Sequence, residues 1–133
     1  MEINIKSIPL KQLVERYGVD SAGDYWRPLA DMVQVRVVDM GNPDYEFLIA
    51  LHEMIEEWLC FKRKIQERDI QKFDQQFDHD GKTGEPGDDR NAPYYNEHQF
   101  ATAIEKLMCN ELKIKWCDYD EAVEGLFKEE EQC

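Results

Sequence analysis

The chain has no closely spaced cysteines, no long apolar run and few basic residues, and each shortage removes a class of explanation. Cys60, Cys109, Cys117 and Cys133 form no Cys-x-x-Cys pair, which argues against a thiol-only zinc site and against a disulfide framework. Their wide scatter suits a reducing compartment, and Cys60 and Cys109 read as small core residues. No apolar stretch approaches the roughly 20 residues that a bilayer span requires. Met1-Glu2-Ile3-Asn4-Ile5-Lys6 lacks the apolar segment of a secretory signal, so the expectation is a cytoplasmic protein with no membrane partner. Basic residues number 16 against 29 acidic ones, for a formal net charge of −13. So acidic a surface repels phosphate backbones, and direct nucleic-acid binding is not expected. It suits divalent cations or a basic protein or peptide partner, and it keeps the chain soluble.

What is present is enough for one domain: 133 residues, 42% of them apolar, can bury a core without covalent staples. Pro9 to Tyr17 predicts a short helix closed by Gly18. From Met32 to Val38 the residues alternate, Val33, Val35 and Val37 on one face and Gln34 and Arg36 on the other, as in a half-exposed strand. Tyr25, Trp26 and Leu29 supply a preceding strand that would close a hairpin with it. Asn42-Pro43-Asp44 combines an N-cap, a proline at the first helical position and an acidic first turn; the helix it opens should run to about Arg63. Further helices are expected over Glu67 to Phe77, from Pro93 to about Asn110, and from Asp118, where Glu121 would complete a capping box. Between them lies a Gly- and Asp-rich loop, mobile over about residues 79–92 and too long for an ordinary connection. Its Asp78-x-Asp80-Gly81 fragment is misplaced for an EF-hand. The tail over 128–133 is expected to fray. The sum is an α+β domain, a small hairpin or sheet packed against about four helices.

The candidate chemistry lies on two of the helices. In His52-Glu53-Met54-Ile55-Glu56, at about 100° per residue, His52 and Glu56 point within roughly 40° of each other. Leu48, Ile49, Leu59 and Cys60 share that arc, so both polar groups should lean inward. A buried carboxylate or imidazolium costs several kcal/mol unless it is compensated. A metal ion would do so, and so would a hydrogen-bonded pair one turn apart. On the later helix, Glu97 projects near the centre of a stripe of Phe100, Ile104, Leu107 and Met108, with His98 and Glu105 roughly 80–100° to one side. Two such helices could converge on one divalent ion held by His52, Glu56 and either Glu97 or His98. With His98 the set suits zinc, iron(II) or manganese; with Glu97 it is harder and shifts toward manganese. In a catalytic version the ion acidifies a water, and Glu53, about 100° around the helix from His52, takes the proton. Glu57 is expected on a solvated face beside basic residues. His79 is expected in solvent, unless the loop folds over and brings it or Asp80 close.

A valine-rich strand, a helix with His52-Glu53-x-x-Glu56 and a later helix with Glu97-His98-x-x-Ala101 together resemble the zincin metallopeptidase core, and the ImmA/IrrE-type metallopeptidases in particular. The chain also resembles small phage and prophage proteins of no established activity that carry a similar strand and helices. The zincin resemblance implies His52 as ligand, Glu53 as base, Glu97 as third ligand and a metal-dependent hydrolase of peptides or amides. Glu56 stands where zincins place a second histidine. Its charge weakens the ion as a Lewis acid, so ligation carries over more readily than peptidase activity. The alternative is a non-enzymatic, acidic, phage-type interaction protein whose His/Glu cluster is a structural polar network.

Overall fold

The structure is a computed structural model that describes residues 1–128, so Cys133 and all but the first residue of the expected tail lie outside the described residues. Its elements run β1 (Glu2–Ile8), α1 (Leu10–Tyr17), β2 (Gly23–Leu29), β3 (Met32–Val38), α2 (Pro43–Lys62), α3 (Glu67–His79), α4 (Tyr95–Glu111) and α5 (Trp116–Gly125). The fold is α+β, a mixed three-stranded sheet with five helices. The sheet order is β1-β3-β2, with β1 parallel and β2 antiparallel to the central strand. β1 is the element that sequence reading lacked. It is an edge strand on which only Ile8 is buried, so it shows no core-facing alternation.

β3 forms over the residues its alternation predicts, with the valines toward the core, but it is not half-exposed: Arg36 on the other face is buried too. Val33, Val35 and Val37 pack against Leu48, Ile49 and Ala50 of α2, Cys109 of α4 and Tyr119 of α5. Burying each of these side chains contributes about 1.5–3 kcal/mol for the larger apolar ones. On the opposite face Arg36 is 8% exposed and grips Asp24 of β2 through two bonds of 2.6 and 2.9 Å. Val38 joins Ile8 and Leu13 in a second cluster. α1 ends as expected on Gly18, whose φ of 93° is the left-handed conformation that a glycine adopts without strain.

α2 opens as its caps require: Pro43 occupies the first turn, and Asn42 accepts a hydrogen bond from the Tyr45 amide at 3.2 Å. α4 and α5 start elsewhere than predicted. Pro93 stands in the turn ahead of α4, and α5 begins two residues before Asp118, which lies inside its first turn instead of capping it. The larger correction is the face of α4. Phe100 and Leu107 are 52% and 62% exposed, while His98, Ala101, Glu105 and Cys109 are buried against α2. The apolar residues of α4 lost this contest because the facing side of α2 presents His52 and Glu56, polar groups that only polar partners can satisfy. Among the described residues no helix is long and apolar enough to cross a membrane.

Candidate metal centre

Two helices in direct contact deliver the site. His52 and Glu56 lie one turn apart on α2, and His98 stands in the first turns of α4. His52 Nε2 is 2.9 Å from Glu56 Oε2 and 3.2 Å from His98 Nδ1, and His98 Nδ1 is 3.0 Å from Glu56 Oε2. The three donor atoms thus form a nearly equilateral triangle. Around a tetrahedral ion with bonds of 2.0–2.1 Å, ligand atoms are separated by about 3.3 Å, so the triangle needs to open by only about 0.1–0.4 Å to seat one. All three residues are 7% exposed or less.

The groups behind these donors orient them. His52 donates Nδ1–H to Glu105 Oε1 at 2.8 Å, and Glu105 Oε2 accepts the Tyr119 hydroxyl. That bond commits one ring nitrogen and turns the other toward the triangle, the carboxylate–histidine arrangement that commonly supports metal ligands. Glu56 Oε1 accepts the Tyr25 hydroxyl at 2.9 Å. His98 turns its second nitrogen away from the triangle, where Nε2 lies 3.0 Å from Glu85 Oε2 and 3.3 Å from Asp88 Oδ1. Neither oxygen is in line with the ring N–H, and the nitrogen has no hydrogen bond.

His52, Glu56 and His98 are each shifted toward their charged forms, two imidazoliums around one carboxylate. Burial alone would raise Glu56, but hydrogen bonds from His52 and His98 bring its carboxyl down to about 2. Burial would lower His98, and the hydrogen bond of Nδ1 to Glu56 together with the Glu85 carboxylate 3.0 Å from Nε2 instead lifts it to about 10. His52 also rises well above the usual imidazole range: bonds to Glu105 and Glu56 outweigh its desolvation. The cluster has a deficit of cation that protons fill when nothing else does, and a divalent ion would compete for the same lone pairs.

Of the two candidates for third ligand, the structure brings His98 to the triangle. Glu97 is equally buried, at 4% exposure, but its carboxylate takes Arg63 at 2.6 Å. The residues able to share an ion here are His52, Glu56 and His98. Glu53 is half-buried beside them. Burial, then the charge on Glu56, raise its carboxyl well above the ordinary range. It fits closely against β2, where a Cβ on Gly23 would come within 2.8 Å of Glu53 Cγ. Glu57 is not solvated: it is 5% exposed and bound to Arg27 by two bonds of 2.7 and 2.8 Å. The loop does fold over, yet it brings Glu85 and Asp88, while His79 stays exposed beside Asp80.

Sequence reading missed the supporting cast. The helical wheel groups Glu105 with His98, two turns away on one face, but its partner is His52, across the helix interface. Tyr25 and Tyr119 carried no signal, since a buried tyrosine looks the same whether or not its hydroxyl serves a carboxylate. No family model matches the chain, and no curated protein or solved structure matches it.

Proposed function

We propose that this chain is a metal-binding protein that holds one divalent ion, of the zinc or manganese kind, through His52 Nε2, Glu56 Oε2 and His98 Nδ1. The observation that carries this reading is the convergence of three buried donor atoms at 2.9–3.2 Å spacing, with the first imidazole oriented by Glu105. Two imidazoles and one carboxylate make a donor set for zinc, iron(II) or manganese. The test is metal analysis of untagged protein beside His52→Ala. Stoichiometric zinc or manganese in the parent and its loss in the variant support the site; no bound metal in either overturns it.

A zincin-like hydrolase is an extension of the same proposal. The bound ion would supply an acidified water, and Glu53, the residue after His52, would take its proton. Glu53→Gln should then abolish turnover of an amide substrate while the ion stays bound, and a variant as active as the parent removes Glu53 from the chemistry.

A second reading has its own support. Tyr25, Tyr119 and Glu105 complete the outer bonds of the cluster, and a buried network so well supplied can serve as a structural core of an interaction protein. Metal content separates the two: a parent that binds no zinc or manganese, with His52→Ala less stable than that parent, supports the network reading, and stoichiometric metal in the parent supports the site.

A further inference from the structure

The second nitrogen of His98 is the one buried side-chain atom among the described residues left without a hydrogen bond. His98 is 6% exposed, and this nitrogen is aimed outward into the loop that follows α3. The loop is laid against it closely. The turn Pro86–Asp88 packs on α4 so tightly that a Cβ on Gly87 would stand 2.4 Å from His98 Cγ and 2.5 Å from Nδ1. Glu85 and Asp88 flank that glycine and place Oε2 and Oδ1 at 3.0 and 3.3 Å from Nε2. Asp88 Oδ1 also accepts a bond from Gln99 Nε2 at 2.8 Å, which steadies it.

Two carboxylate oxygens beside a ring nitrogen, neither along its N–H direction, make poor hydrogen-bond acceptors. They are arranged as two ligand atoms sit relative to a third around an ion lying between them. The three donor atoms are all within 4.8 Å of one another, a spacing that a coordinated cation would close. We infer that Glu85, Asp88 and His98 Nε2 form an outer site for a divalent cation, on the opposite edge of the His98 ring from the buried triangle. Glu85 and Asp88 are both 57% exposed at their side chains, so this site, unlike the inner one, opens directly to solvent. Two carboxylates and one imidazole select manganese or zinc over the softer ions.

The two sites share one imidazole. A neutral ring offers a single lone pair and carries its proton on the other nitrogen, so His98 serves one ion at a time. An ion at Nδ1 leaves Nε2–H facing Glu85 and Asp88; an ion at Nε2 leaves Nδ1–H facing Glu56. The outer site therefore alternates with the inner one, and the loop that carries it senses which nitrogen is occupied. The outer site stands apart from the proposed function, with which it shares only His98, whereas the alternation rests on that reading.

The test is equilibrium binding of Mn2+ and, separately, Zn2+ to the full chain. The variants are His52→Ala and Glu56→Gln, which remove the inner site, and Glu85→Gln/Asp88→Asn, which removes the outer one. Circular dichroism establishes that each is folded. Expected are one tightly held ion in the parent and in Glu85→Gln/Asp88→Asn. Each inner-site variant should keep one ion with affinity lower by about tenfold or more. In Glu56→Gln/Glu85→Gln/Asp88→Asn no ion should bind. If neither inner-site variant binds Mn2+ or Zn2+ while folded, the outer site is overturned and the inner reading stands. If Glu85→Gln/Asp88→Asn alone loses its ion and His52→Ala keeps one, the outer site is supported and the inner reading fails. Two ions held at once by the parent overturn the alternation.

Discussion

Glu56 and Glu57 are neighbours on α2 and each is 5% exposed, yet they are compensated in different ways. Glu57 is held by the Arg27 guanidinium through two bonds, and Glu97 on α4 is held by Arg63. Asp24 on β2 is held by Arg36. Glu56 and Glu105 meet imidazoles and tyrosines instead. An arginine keeps its proton at any pH a protein survives, and it grips Glu57 and Asp24 through two bonds each and Glu97 through one, so the first set is locked. An imidazole can yield its proton to solvent and its lone pair to a metal. The same burial therefore makes framework of one set of acids and leaves the other among donors that could hold a metal ion, and the difference lies in which base faces each acid.

The strongest way to break this comparison is to remove an arginine. Arg27→Met leaves Glu57 as an uncompensated buried charge and should cost about 3 kcal/mol in urea denaturation, with ion affinity unchanged. Arg27→Met/Glu57→Gln should recover most of that loss, and a silent Arg27→Met would place Glu57 among the exchangeable acids. Next is the effect expected of Glu56→Gln on the other set, a fall in Zn2+ affinity of about tenfold or more, or ~1.4 kcal/mol at least, by titration calorimetry. Glu57→Gln, one residue away, should leave that affinity within about twofold. If the two variants bind the ion alike, the division between locked and exchangeable acids is wrong. Glu105→Gln sharpens the picture by testing orientation instead of ligation. It should weaken binding by about 10–100-fold, and Tyr119→Phe by less.

The smallest effect concerns an acid of neither kind. Among the described residues, Asp74 on α3 is hydrogen-bonded by the hydroxyls of Tyr17 and Tyr94 alone. Burial outweighs those bonds and raises its carboxyl from 3.8 to about 6. The folded state thus binds this proton more readily than the unfolded chain. The stabilisation is fully present below about pH 3.8, and it is lost as pH rises through about 6. Thermal melts of parent and Asp74→Asn across that window should differ in slope, the variant lacking the decline. Identical profiles would mean that Asp74 titrates normally.

Much of the frame is legible in the residues. Asn42-Pro43-Asp44 announces the start of α2, and the Val33, Val35, Val37 alternation announces β3, since capping and two-residue periodicity are properties of a few adjacent positions. The wheel for α4 misleads, because Phe100 and Leu107 carry the hydrophobic signal and remain in solvent. Its rotation is decided by His98, Ala101, Glu105 and Cys109 docking on α2, a matching of two surfaces that no single segment encodes. Glu85 and Asp88 are further from prediction still: only the fold of their loop and the bare approach of Gly87 put them beside a histidine.

The pairing of His52 with Glu56 was determined by the sequence alone, for residues four apart on a helix share a side whatever surrounds them. Which residue completes the site, His98 and not Glu97, was decided by the tertiary structure. One step along α4 turns a side chain by about 100°, and only the packing of α4 against α2 sets which of the two faces the triangle and which finds Arg63.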